Sequence, residues 1–325
     1  MTFRTVLLCS ALLAGMLHAA DTPSPALLVL DKEGALAIVD PATRQVVAKV
    51  RTGDAPHEVA ASSDGKLAFV SNYGASTPGN SLSVIDLVAQ TELHRVDLGP
   101  LRRPHGLAVA GGKLYFTCET NQLIARYDPA ENRVDWLLGT GQKRTHMIWV
   151  NPDESHIYTA NVDSNSLSLI DRTGAIDWSP TVVPVGKGPE GFDVSPDGKE
   201  LWAANSHDGT VSIVDLVNQR LVRSFRVETS RSNRLKFTPD GRLVLISDLE
   251  AGNLLVLERD TKKDLKRMSL GRQPAGILVE PGNSRAYVAV TGDDFVAVID
   301  LKSLELAARI LPGKSPDGMA WAVRR

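Results

Sequence analysis

Residues 81–86 read SLSVID, a short alternating run that closes on an acid. The phrase returns along the chain: ALAIVD ends at Asp40, IARYD at Asp128, LSLID at Asp171, VSIVD at Asp215, LLVLE at Glu258 and VAVID at Asp300. With Asp86 that makes seven occurrences, spaced by 42 to 46 residues. Such a period is that of β-propeller blades. Turn sequences stand ahead of most of these runs: SSDGK (62–66), SPDGK (195–199), TPDGR (238–242) and EPGNS (280–284). Asp-Gly and Pro-Gly between alternating apolar runs signal hairpins. Outside the first twenty residues no window sustains the i, i+3, i+4, i+7 pattern of an amphipathic helix. The chain reads as all-β.

Each repeat divides into four strands. From His57 they are EVAAS, KLAFVSN, SLSVIDL and TELHRVDL. Six repeats run complete from His57 to Ser315, and the seventh is split. Its first strand is GMAWAVRR at 318–325; the others are ALLVLD, ALAIVD and VVAKVRTG near the N-terminus. Pairing the two ends closes a seven-bladed ring and removes the free sheet edges of an open array. The expectation is one domain over residues 21–325, its last blade divided between 26–54 and 316–325.

Residues 1–20 read differently. Arg4 gives a short positive start, VLLCSALLAGML (6–17) an apolar stretch of signal length, and HAAD small residues for cleavage near Ala19 or Ala20. The stretch is too short to span a bilayer. A cleaved signal peptide and a periplasmic or secreted protein are expected. Only Cys118 would then remain, which excludes an internal disulfide and any CxxC or CxxCH motif. A net charge of −2 argues against nucleic acid as partner, and a monomer is expected.

The stretches IYTANVDSNSLSLID (157–171) and LWAANSHDGTVSIVD (201–215) resemble the YVTN-type propeller repeat of YncE-like proteins. PHEVAASSDGKLAFVSNYG (56–74) is also similar, locally, to propeller lactonases of the 6-phosphogluconolactonase type. The resemblance implies the fold over nearly the whole chain. It says little about activity, because one fold hosts many functions.

Function must therefore be sought in positions. Proline followed by histidine heads APHEVAA (55–61) and RPHGLAV (103–109), and RTHMIWV (144–150) has the histidine alone. Aligning all first strands puts His57, His105, His146, Glu190, Asn233, Ala275 and Asp317 in one column at one mouth of the central channel. Proline at 56, 104, 189, 274 and 316 fixes φ and stiffens the loop entering each strand. Three neutral imidazoles from adjacent blades suit a transition metal such as zinc or copper. Glu190, with Asp317 in reserve, would then be the proton-transfer group of an enzyme. The alternative is that a channel mouth is wet and simply carries polar residues.

A second column is expected where the second strands end: Asn72, Cys118, Asn161, Asn205, Asp248 and Val290. Asn72, Tyr73, Glu119, Asn161 and Asn205 are candidate ligand contacts, with Cys118 a candidate soft metal ligand. Asn and Asp also shape turns by bonding nearby backbone, which is the competing reading. Basic residues precede the slot in six blades: Arg102 and Arg103, Lys143 and Arg144, Lys187, Arg231, Arg272 and Lys314. Arg103, Arg144 and Arg234 are the cationic candidates, and a cationic rim steers anions. GTGQKR (139–144) and PGKS (312–315) lack the context of phosphate loops, and no nucleophile elbow is present. Two functions follow: an exported propeller that binds a small anionic or metal-containing ligand or a partner protein at the histidine-bearing mouth, or a metal-dependent hydrolase, lactonase or lyase using that mouth.

Overall fold

The computed structural model describes residues 20–325. The expected signal peptide falls almost wholly outside them. No described helix is long and apolar enough to cross a membrane.

Twenty-eight strands form seven four-stranded antiparallel sheets. Six blades use consecutive strands. In blade 1 the inner strand Pro316–Ala322 pairs with Ala26–Asp31, which leads outward to Ala35–Asp40 and Gln45–Arg51. Its register runs from Ala26 opposite Ala322 to Asp31 opposite Pro316. The clasp is therefore present, and the sequence placed its two halves to within a few residues.

The recurring acid has a local cause. Oδ1 of Asp40, Asp86, Asp128, Asp215 and Asp300 accepts the backbone N–H two residues on, at 2.7 to 2.9 Å. These Asx turns hand the third strand to the fourth. Second and third strands are buried on both faces, because each sheet packs between two others. Fourth strands carry mostly exposed or half-buried positions and face the rim.

The apolar interior consists of seven clusters, one for every pair of neighbouring blades. Blades 7 and 1 share a cluster of Leu27, Val29, Tyr287 and Val298 like any other pair. Blade 1 is thus held in the ring from both sides.

The first strands pack tightest. Glycine follows the slot residue in four blades, and a β-carbon there would strike the next blade's backbone. At Gly106 it would lie 2.6 Å from the His146 carbonyl oxygen, and at Gly191 2.5 Å from that of Asn233. At Gly276 and Gly318 the distances to the Asp317 and His57 carbonyls are 2.2 and 2.3 Å.

Candidate functional site

Every first strand carries a β-bulge at the same place. The register shifts between Pro56 and Val59, Pro104 and Leu107, Thr145 and Ile148, Pro189 and Gly191, Ser232 and Leu235, and Pro274 and Ile277. In blade 1 it shifts where Pro316 approaches Asp31. A bulge re-aims a side chain, and here the re-aimed residue is the slot residue itself. Two positions earlier, Ala55, Arg103, Arg144, Gly188, Gln273 and Ser315 adopt positive φ between 41° and 65°. For a non-glycine residue that conformation costs roughly 1–3 kcal/mol. Hydrogen bonds hold it: N–H of Glu119 donates to the Arg103 carbonyl, and N–H of Val162 to that of Arg144.

All seven slot residues line one cavity of about 300 Å³ at the channel mouth. Lys32, Tyr73, Arg144, Arg231, Arg234, Leu249, Gln273 and Thr291 complete its wall. His57, His105 and His146 stand side by side: ring centroids are 5.3 Å apart for the first pair and 3.9 Å for the second. Tyr73 packs on His57 at 4.4 Å.

The imidazoles are differently held. Nδ1 of His57 lies 2.9 Å from the Ala55 carbonyl, so it donates there and Nε2 carries the lone pair. Nδ1 of His146 is hydrogen-bonded to Oε1 of Glu119, which leaves Nε2 as the acceptor nitrogen. Oε2 of the same carboxylate accepts the Tyr73 hydroxyl at 2.6 Å. Nδ1 of His105 and Nε2 of His146 are buried with no hydrogen-bond partner. Burial lowers the pKa of His57, with Asp317 opposing, and holds His105 well below the ordinary histidine value, reinforced by His146 and His57. Burial alone would raise Glu119, but the bonds from His146 and Tyr73 and the nearby Arg144 outweigh it and lower its pKa.

Acids and cations share the opposite wall. Asp317 meets Lys32 at 2.9 Å, and Asn233 donates to Glu190 Oε1 at 3.1 Å. The same Glu190 oxygen lies 3.9 Å from His146 Nε2. Burial of Asp317 disfavours its charge, yet Lys32, Arg234 and His57 prevail and hold its pKa below the usual range. Arg234 pairs with Glu58, from a blade on the far side of the ring.

The sequence-derived columns fare unequally. The first-strand column converges completely. The second-strand column was read one residue early. Asn72 accepts from Gly53 N–H at 2.9 Å and donates to Ser81 and Ser83; Asn161 donates to Ser166 and Ser168; Asn205 donates to Thr210 and Ser212. All three turn into their own blades and none lines the cavity. Side chains alternate along a strand, so the next residue faces the mouth. That column holds Lys32, Tyr73, Leu249 and Thr291 in the wall, with Glu119 just behind. Cys118 is fully buried between blades, where burial pushes its thiol up to about 12, so it is no ligand at the mouth.

The cationic rim is also thinner than expected. Arg103 donates to the Gly74 and Ala75 carbonyls at 2.6 and 3.0 Å and covers the Tyr73 ring, outside the cavity wall. Arg272 and Lys314 pair with Asp293 and Asp294. Arg144 and Arg231 do reach the cavity. Arg144 has carboxylates only at 3.8 and 3.9 Å, and among the described residues Arg231 has no side-chain ion pair. Glu58 and Lys32 went unrecognised and Arg231 was noted only as part of a rim: Glu58 meets Arg234 across the ring, and Lys32 meets Asp317 only once the two chain ends close blade 1.

The architecture defines the protein as a seven-bladed β-propeller with a polar cavity at one mouth. Residues 5–183 match the YNCE-like beta-propeller family, and the chain belongs to that family. The beta subunit of hydrazine synthase from Kuenenia stuttgartiensis is 24% identical over 164 residues, 42% of each chain, so the match spans less than half of that relative. A solved Kuenenia stuttgartiensis hydrazine synthase chain superposes with TM-score 0.70 at 22% identity, covering 82% of this chain and 89% of the other. The periplasmic gluconolactonase of Pseudomonas aeruginosa gives 0.72 at 15% identity, over 93% and 100% of the two chains. A 6-phosphogluconolactonase-like propeller of Bacteroides uniformis gives 0.75 at 13% identity, over 92% and 99%. These likenesses establish the fold.

Proposed function

We propose that this protein is an exported YncE-like propeller that binds a small organic anion in the histidine-bearing mouth. The observation that carries the reading is the pair of under-engaged guanidinium groups, Arg144 and Arg231, beside buried imidazoles in one concave site. Guanidinium groups grip carboxylate or phosphate in bidentate fashion. A cavity of about 300 Å³ suits a molecule of sugar-acid size rather than a macromolecule. The names of the gluconolactonase neighbours suggest aldonates and their phosphates as the first probes.

The enzyme reading keeps one specific support: Glu190 stands 3.9 Å from His146 Nε2 inside the cavity. One experiment addresses both. Gluconate and 6-phosphogluconate are titrated against chelator-treated protein by calorimetry, and the corresponding lactones are followed for hydrolysis with Zn²⁺-loaded protein. Saturable binding that weakens about tenfold or more in the Arg144→Ala, Arg231→Ala double variant is expected, the equivalent of losing two charge-assisted contacts. Turnover that falls roughly 10²-fold in Glu190→Gln would establish the enzyme instead. The absence of both saturable binding and turnover would remove the anion reading.

A further inference from the structure

We propose that His105 and His146 hold a divalent transition-metal ion at the mouth, with His57 as third nitrogen donor and Glu119 as the residue that positions His146. Burying a polar nitrogen without a partner is costly, and this wall contains two such nitrogens at adjacent slots. His105 and His146 are 2% and 3% exposed, yet both line the cavity wall. An ion would satisfy both at once.

The donor set fits a metal in its details. The nearest donor atoms of His105, Glu119 and His146 all lie within 4.8 Å of one another. Zinc–imidazole bonds are about 2.0–2.1 Å, so two nitrogens on one ion stand no more than about 4.2 Å apart. His57 lies outside that group of three residues, its ring 5.3 Å from that of His105, and would have to turn inward to join as third donor. Glu119 fixes His146 as the Nδ1–H tautomer, and the Tyr73 hydroxyl fixes Glu119. A carboxylate behind a ligating histidine is the usual outer-shell support of a metal site. The Ala55 carbonyl does the same for His57, leaving its Nε2 as the donor. Imidazole donors without thiolate suit zinc or copper. Three donors leave a coordination position toward the cavity, where Arg144 and Arg231 await an anion.

The inference rests on the mouth being a binding site, as proposed above, but the two can fail separately: the anion titration uses chelator-treated protein, and the metal titration contains no organic anion. Untagged full-chain protein is titrated with Zn²⁺ alone by calorimetry and mass-spectrometric metal counting. One equivalent per chain is expected. His105→Gln and His146→Gln should each lower affinity by at least about 100-fold, whereas Glu119→Gln should keep the stoichiometry and weaken binding about 10- to 100-fold. Should the glutamine variants fail to fold, the wild type still decides, because its Cu²⁺ electron paramagnetic resonance spectrum should show hyperfine coupling from at least two imidazole nitrogens. No stoichiometric metal in the wild type, a spectrum without nitrogen coupling, or full affinity in the His105→Gln, His146→Gln double variant overturns the site. Complete loss of metal in Glu119→Gln overturns its positioning role.

Discussion

Gly106 shows how much the site depends on a missing atom. It follows the His105 slot, and a methyl group there would press on the backbone of the neighbouring first strand, 2.6 Å from the His146 carbonyl. That carbonyl accepts the Thr117 hydroxyl at 2.6 Å, and Thr117 Oγ1 in turn accepts the Gly106 N–H at 3.0 Å. The blades carrying His105 and His146 are therefore stitched together at the point where their imidazoles meet. Gly106→Ala should destabilise by about 1–3 kcal/mol through overpacking. It should also spread the two rings, so metal affinity and denaturation midpoint should fall together. A midpoint unchanged within error would show that the inner ring yields more easily than this packing implies.

The element scale shows what a repeat discloses and what it conceals. The Pro-His slot was legible because it recurs in register and because bulged strands all turn the same position inward. The second-strand column slipped by one residue because asparagine looked functional, whereas Asn72, Asn161 and Asn205 are the internal ties of their blades. With a side-chain period of two, a shift of one reverses the assignment. The hairpin turns are more local, and one allows a pH test. Asp197 in SPDGK accepts the Ser195 hydroxyl at 2.6 Å and Lys199 N–H at 3.2 Å, and pairs with Arg259 of the next blade at 3.0 Å. The Ser195 bond foremost, with these other partners, lowers its pKa from 3.8 to about 2. A depressed carboxylate stabilises fully above its unfolded value and loses that contribution as pH falls through the folded one. Asp197→Asn should therefore lower the thermal midpoint modestly at neutral pH. The difference from wild type should shrink between about pH 4 and pH 2 and vanish below it. A difference that persists there would assign the effect to the amide's geometry.

At the scale of the molecule, the ring was legible end to end, but the contacts across it were not. Glu58 and Arg234 are separated by 176 residues and sit in non-adjacent blades, so no period relates them. Sequence repeats specify a blade and its neighbour; what meets over the channel depends on closure. Closure is itself open to test. Removing residues 318–325 strips most of the inner strand from blade 1 and bares the edge of Ala26–Asp31. Such a chain should aggregate or lose its cooperative unfolding transition, and a monodisperse product with unchanged midpoint would refute the clasp. The split blade also imposes an order of events on biosynthesis. Strand Ala26–Asp31 is made long before its partner Pro316–Ala322, with the other six blades between them. At about 5–20 residues per second the interval is roughly 15–60 s. Throughout that time blade 1 lacks its inner strand, so the nascent chain cannot lock into its final form and stays pliable until the last strand is made.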